Sequence, residues 1–168
     1  SWVTGMEQWP ILAEAGMQRS RAAGLEKKAP IERYDPLTDE LKPRAYNCVF
    51  AKEAFFTLAD KVRLFAAIAE TLKPSGQLCF TDYVLPEDSK PTPAVETWAA
   101  KEPLEPFLCS SEETLTLLAE NRLQVRIAED VTDMHQALIL QAWRDLTQAL
   151  DRKSTRLNSS HVSESRMP

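Results

Sequence analysis

The stretch Leu72-Lys-Pro-Ser-Gly-Gln-Leu-Cys-Phe-Thr-Asp-Tyr83 decides the fold. Lys73-Pro-Ser-Gly76 has turn chemistry: proline cannot continue a helix, and glycine admits the backbone that a helix stop uses. Gln77–Thr81 then reads as a strand that runs on to Asp82, Tyr83 and Val84. Upstream, Val62, Leu64, Phe65, Ile68, Ala69 and Leu72 make a wide apolar stripe, which predicts a helix from about Ala59 to Leu72. The segment is therefore helix, turn, strand, with an acid and a phenol at the strand's far end.

Outward from it the same alternation repeats. Towards the N-terminus, Tyr46–Ala51 reads as a strand and 37–44 as a polar loop. Ile31–Tyr34 is a further strand, closed by Asp35-Pro36. Trp2–Met6 is a short strand ending at Glu7, followed by a helix with Pro10 in its first turn and Gly24 as its stop. Ile11, Leu12, Ala15 and Ala22 give that helix an apolar face, which Gly16 weakens. Towards the C-terminus, residues 86–108 carry Pro86, Pro91, Pro93, Pro103 and Pro106 without a period, and read as a lid or substrate loop. Ser110 or Ser111 caps a helix over Glu112–Asn121, with Glu112 or Glu113 near the third position. Leu123–Ile127 alternates as a half-buried strand, and Asp133 opens a last helix through Leu150 with Ile139, Trp143, Leu146 and Leu150 on one face. Strands alternating with helices predict an α/β domain with a mostly parallel sheet.

Composition narrows the function. Against 20 Lys and Arg stand 25 Asp and Glu, a net charge of −5 over 168 residues, so no basic face for nucleic acid is expected. No apolar run reaches the roughly 18 residues of a membrane helix. Four glycines leave little material for a phosphate-cradling loop. Cys48, Cys79 and Cys109 form no C-x-x-C pair and read as three reduced thiols of a cytoplasmic protein. H-E-x-x-H, G-x-S-x-G and P-loop patterns are absent. The chain opens on Ser1 as if inside a domain, and its composition changes after Leu150. Residues 1–151 are therefore expected to form a partial domain. Residues 152–168, which resemble a sequencing adaptor read through as protein, are expected to be a disordered, non-native tail. His161 falls in that tail and His135 reads as a surface residue.

The ordered set Ala51-Lys-Glu-Ala-Phe-Phe-Thr57, Asp60-Lys-Val-Arg-Leu-Phe65 and Leu72–Tyr83 resembles the Rossmann-like S-adenosylmethionine-dependent methyltransferases. Within them it is most similar to the phosphoethanolamine and related small-amine N-methyltransferases, over about residues 1–150; Glu129-Asp-Val-Thr-Asp133 before a Trp-bearing helix is similar too. The resemblance implies a Rossmann-like methyltransferase sheet with flanking helices, incomplete at both ends because the glycine-rich first turn and the closing strands are missing. It implies S-adenosylmethionine as cofactor and a small-molecule methyl acceptor, an amine; from charge and hydropathy, neither nucleic acid nor membrane is expected as partner. Glu7 would meet the ribose hydroxyls, Asp35 the adenine amino group, with Pro36 beside it, and Lys52 would approach the cofactor or substrate. Glu53 and Tyr83 are the candidate catalytic pair, accepting a proton from the amine or orienting it, and Trp98 is the candidate substrate contact for a cation. Of the polar groups that the family places around its phosphobase, Glu53 and Tyr83 are present, while Thr57 and Met134 stand at two other positions. A chain lacking half the cofactor pocket is expected to be inactive alone.

Two other readings remain. A nicotinamide dehydrogenase would also use an acid after the second strand, but no Tyr-x-x-x-Lys pair occurs. A non-catalytic Rossmann-like interaction module would account for Thr57 and Met134.

Overall fold

A computed structural model of the chain describes residues 2–164, with side chains described from Trp2 to Asp151. Two compact units divide it, Ser1–Val125 and Arg126–Pro168.

The first unit contains two β-α-β repeats, which is how parallel neighbours are connected. In the first repeat, β1 (Gly5–Glu7) and β2 (Ile31–Arg33) pair in parallel across α1 (Pro10–Ala22), with Gly5 opposite Ile31 and Glu7 opposite Arg33. The strand expected over Trp2–Met6 is confined to Gly5–Glu7; Val3 instead donates its N–H to the Lys28 carbonyl at 2.9 Å. Pro10 opens α1, where its missing N–H leaves no bond unmade, and Arg19 and Arg21 sit in the last turn, where cations offset the helix dipole. Gly24 follows at φ 66°, the left-handed stop that the sequence signals. Gly5 and Gly16 both approach Ile31: a Cβ built at Gly5 would lie 2.5 Å from its Cδ1, and one at Gly16 would lie 3.3 Å from its Cγ1.

The second repeat holds the core. β3 (Tyr46–Lys52) leads through a 3-10 turn (Phe55–Thr57) into α2 (Lys61–Thr71), and β4 (Leu72–Thr81) returns parallel to β3. Asp60 caps α2 by accepting the Arg63 N–H at 2.9 Å. Phe65, Leu64, Ile68 and Leu72 are buried with Phe55 and Leu118, as the helical stripe requires. Val62 departs from that expectation at 62% exposed, and its neighbour Lys61 is buried instead. Lys73–Gly76 is not a turn between helix and strand but a bulge within β4. Tyr46 faces Leu72 and Cys48 faces Gln77, so four residues of β4 stand against one of β3, with Ser75 at φ 63°.

The expected parallel sheet is thus present as two separate pairs, β1 with β2 and β3 with β4. Within the proline-dense loop a short helix, α3 (Pro93–Ala99), forms behind the Thr92 cap, which accepts the Val95 N–H at 3.4 Å. The aperiodic pattern of 86–108 hides it, because a cap followed by Pro at the first helical position also reads as loop punctuation. α4 (Ser111–Glu120) carries a full capping box: Ser110 accepts the Glu113 N–H at 3.0 Å, and Glu113 accepts the Ser110 N–H at 2.6 Å. Leu123–Ile127 is not a strand. Its alternation finds no partner among the described residues, and Ile127 is 78% exposed.

The second unit is dominated by α5 (Thr132–Glu164), whose start is held by Asp130 accepting the Thr132 N–H at 2.9 Å. Ile139, Trp143, Leu146 and Leu150, expected on one covered face, are exposed. The expectation of a tail over 152–168, and His161 with it, falls on residues whose side chains lie outside the described set.

Candidate functional site

The carboxyl ends of β3 and β4 lie side by side, with Lys52 opposite Thr81. Residues just past those ends are therefore neighbours in space although thirty positions apart. Glu53 is held there by its own N–H, which donates to the Thr81 carbonyl at 2.7 Å, and by a left-handed backbone at φ 48°. A non-glycine residue in that region is strained, and such strain gathers at functional positions. Tyr83 donates its phenol to Glu53 Oε2 at 3.3 Å. Burial first, and then the Glu53 charge, hold the phenol above the ordinary tyrosine range. Lys52 Nζ lies 3.9 Å from the other Glu53 oxygen.

Three rings close this corner. Phe56 meets Tyr83 edge-on with centroids 5.1 Å apart, and Trp98 of α3 is 5.6 Å from Tyr83 and 5.9 Å from Phe56. Phe56 is fixed at both backbone groups: its N–H donates to Asp82 Oδ1 at 3.1 Å, and its carbonyl accepts the Phe107 N–H at 2.6 Å. The Asp82 carboxyl is raised by burial, opposed by the backbone N–H groups of Phe56 and Tyr83 and by the Lys61 charge. Glu53, Glu102 and Asp82 all bear on the Tyr83 phenol, so the aromatic corner is rimmed by acids. The sequence proposes Glu53, Tyr83 and Trp98 as candidates, and the structure brings the three together. Phe56, which reads as core and is buried, packs beneath them, and Asp82 joins them through its bond to the Phe56 N–H. Thr57 turns inward on its own segment, donating to the Ala54 carbonyl at 2.8 Å.

The remaining candidates sit at the ends of β1 and β2. Glu7 Oε1 accepts the Trp9 N–H at 3.0 Å, which fixes the carboxylate at the strand end. A carboxylate has about four lone-pair sites, so capacity for hydroxyl donors remains. Asp35 Oδ1 accepts the Leu37 N–H at 3.0 Å, and its Oδ2 lies 3.7 Å from the Arg33 guanidinium, so Asp35 also builds its own turn. The Pro36 carbonyl accepts from Arg63 Nε at 3.1 Å, which ties that turn to α2. Glu7 and Asp35 thus flank one edge of a parallel pair, and Glu53 and Tyr83 lie at the end of the other.

Cys48, Cys79 and Cys109 are free thiols. Among the described residues no helix is long and apolar enough to cross a membrane.

No family profile and no curated protein sequence matches the chain. Solved structures do. The phosphoethanolamine N-methyltransferase 2 of Haemonchus contortus, in complex with phosphomonomethylethanolamine and S-adenosylhomocysteine, superposes with a TM-score of 0.78 at 16% identity, over 89% of this chain and 34% of that one. The geranyl diphosphate C-methyltransferase of Streptomyces coelicolor gives a TM-score of 0.66 at 22% identity, over 73% of this chain and 44% of that one. The [4+2]-cyclase SpnF gives 0.60 at 20% identity, over 71% and 42%. The chain therefore has the Rossmann-like fold shared by these proteins and spans less than half the length of each. One of the three is a cyclase, so the fold alone does not fix the reaction.

Proposed function

We propose that this chain contributes to S-adenosylmethionine-dependent methyl transfer to a small-molecule acceptor, and that the acceptor is an amine. The observation that carries the reading is the corner formed by Phe56, Tyr83 and Trp98 with Glu53 hydrogen-bonded to Tyr83. Aromatic faces rimmed by acids attract a cationic or amine-bearing molecule and discriminate against an anionic one. Support also comes from the carboxylates at the ends of the parallel strands, where folds of this kind take nucleosides. Glu7 and Asp35 are the residues that would hold the ribose and adenine, with Pro36 shaping the turn beside them and Lys52 near the acceptor end.

When bound, the cofactor supplies a sulfonium methyl group that is open to in-line displacement, a reaction that depends mostly on orientation. The chain's own residues do the positioning. Tyr83 and Trp98, backed by the buried Phe56 ring, face the acceptor, and the Glu53 carboxylate receives the proton that an ammonium must lose before its nitrogen can attack. Tyr83 remains a neutral phenol, because its pKa is raised. It orients Glu53 through its hydrogen bond and takes no proton itself. The roles of Glu53 and Tyr83 thus divide into acceptor and orienter.

The test has two arms, on the domain completed with the glycine-rich turn and closing strands that the resemblance implies, since the chain alone is expected to be inactive. Calorimetric titration with S-adenosylhomocysteine should show binding that weakens in Glu7→Gln. Transfer of labelled methyl to a panel of primary and methylated amines should exceed transfer to prenyl diphosphates. Binding without any amine methylation would sink the acceptor assignment, and absence of cofactor binding would sink the whole reading.

A further inference from the structure

Lys61 is the first residue of α2 and only 8% exposed. Lysine is rarely buried unless its charge is satisfied. Here the ammonium donates to two backbone carbonyls, Phe55 at 2.7 Å and Leu58 at 2.9 Å. Phe55 opens the 3-10 turn that carries Phe56, and Leu58 follows its end. A cation at a helix N-terminus opposes the dipole, and burial pulls the ammonium below the ordinary lysine range, with Cys109 and Asp82 acting the other way. Cys109 with Glu112, Glu113 and Glu120 of α4 lines the surface depression beside it. On electrostatic grounds this is a costly place for lysine, and an apolar side chain of the same length would fill the volume. What the apolar side chain would lack is the pair of donors.

We infer that Lys61 is a positioning residue for the acceptor side of the site: its two hydrogen bonds lock the Phe55–Thr57 turn and so set the Phe56 ring against Tyr83 and Trp98. The inference rests on the proposed reading of that aromatic corner as the acceptor site. Three segments then converge on one turn. Lys61 holds its carbonyls from α2, Asp82 takes the Phe56 N–H from beyond β4, and Phe107 donates to the Phe56 carbonyl from the segment before α4. Deleting the ammonium leaves the carbonyls of Phe55 and Leu58 without this donor, and the turn is released to find others.

The test uses the full chain labelled with 5-fluorotryptophan, its Trp98 resonance assigned with Trp98→Phe, and tetramethylammonium as the cation probe. In the wild type, tetramethylammonium should shift the Trp98 signal. Lys61→Met keeps the stem and removes the donors. It should move the Trp98 signal before any cation is added and weaken tetramethylammonium about tenfold. Lys61→Arg, which retains a donor cation, should recover at least half of the lost affinity on a logarithmic scale. If Lys61→Met fails to fold, Lys61→Gln is read in the same way, with about threefold weakening expected. An unmoved Trp98 signal and unchanged cation affinity in the folded variant would overturn the role of Lys61 alone. A wild type that ignores tetramethylammonium would overturn the acceptor reading, and this inference with it.

Discussion

The Tyr83 phenol reaches the Glu53 carboxylate at 3.3 Å, joining the chain just past β3 to the chain just past β4. The register of the two parallel strands makes that contact possible: with Lys52 opposite Thr81, the residues that follow each strand emerge at the same edge.

The pair should be visible in a titration. Tyr83 is raised by burial first and by the Glu53 charge next. In the wild type its phenol should ionise above the ordinary tyrosine value, followed by absorbance near 295 nm with Tyr83→Phe as the reference. Glu53→Gln removes the charge and should bring the transition down, without returning it fully, because burial remains. A transition unmoved by Glu53→Gln would separate the two residues functionally.

Asp82 should leave a mark on stability against pH. Its carboxyl is raised in the folded state, chiefly by burial. A raised group contributes stability that is complete below its unfolded pKa and is lost as pH rises through the folded one. The loss begins near the ordinary carboxylate value of 3.8 and extends upward. Asp82→Asn does not titrate and can still accept the Phe56 N–H through its amide oxygen. The melting temperature of the wild type minus that of Asp82→Asn should therefore fall as pH rises from about 4 towards neutrality. A flat difference over that range would count against it.

The core prediction contrasts two neighbours on α2. Phe65 is 1% exposed and touches the rings of Phe55 and Phe80. Phe65→Ala should cost about 3–5 kcal/mol in a denaturant titration. Val62→Ala should stay within about 0.5 kcal/mol, the usual range at an exposed site. Equal losses would mean that the face of α2 is misassigned.

Glu7 separates ligand binding from local structure. Glu7→Gln keeps an oxygen for the Trp9 N–H and removes the charge. In the completed domain it should weaken S-adenosylhomocysteine by about 1–3 kcal/mol, the loss typical of a charge-assisted bond, with melting temperature little changed. Unchanged affinity would remove Glu7 from the proposed cofactor site.

Much of the first unit was legible because its signals are local. Pro10 and Gly24 bound α1, the capping box at Ser110 and Glu113 starts α4, and the stripe of Leu64, Phe65 and Ile68 turns one face of α2 inward. What escaped depends on partners. Leu123–Ile127 has the period of a strand, but a strand also needs a neighbour, and the period carries no information about one. Lys61 and Val62 exchange their expected environments because Lys61 finds two carbonyls in the preceding turn, a contact with no periodicity. At the candidate site, Glu53 and Tyr83 were legible from their places after strands. Phe56 reads as core and is buried, but its contact with Trp98 was not legible, since it depends on a helix hidden among prolines.

The crowding of Gly5 and Gly16 around Ile31 makes the three positions one evolutionary unit. Alanine at Gly16 meets the Ile31 side chain at 3.3 Å, and alanine at Gly5 meets it more severely. The Cδ1 that Gly5 meets is the far end of a flexible side chain and can rotate aside, and shortening Ile31 to valine removes it altogether. Substitutions here should therefore be coupled: Gly5→Ala costs the displacement of Ile31 Cδ1 in the native background and less after Ile31→Val, a non-additivity of the kind that contacting residues show. In a lineage of such chains, a lost glycine at either place should come with a smaller residue at the third.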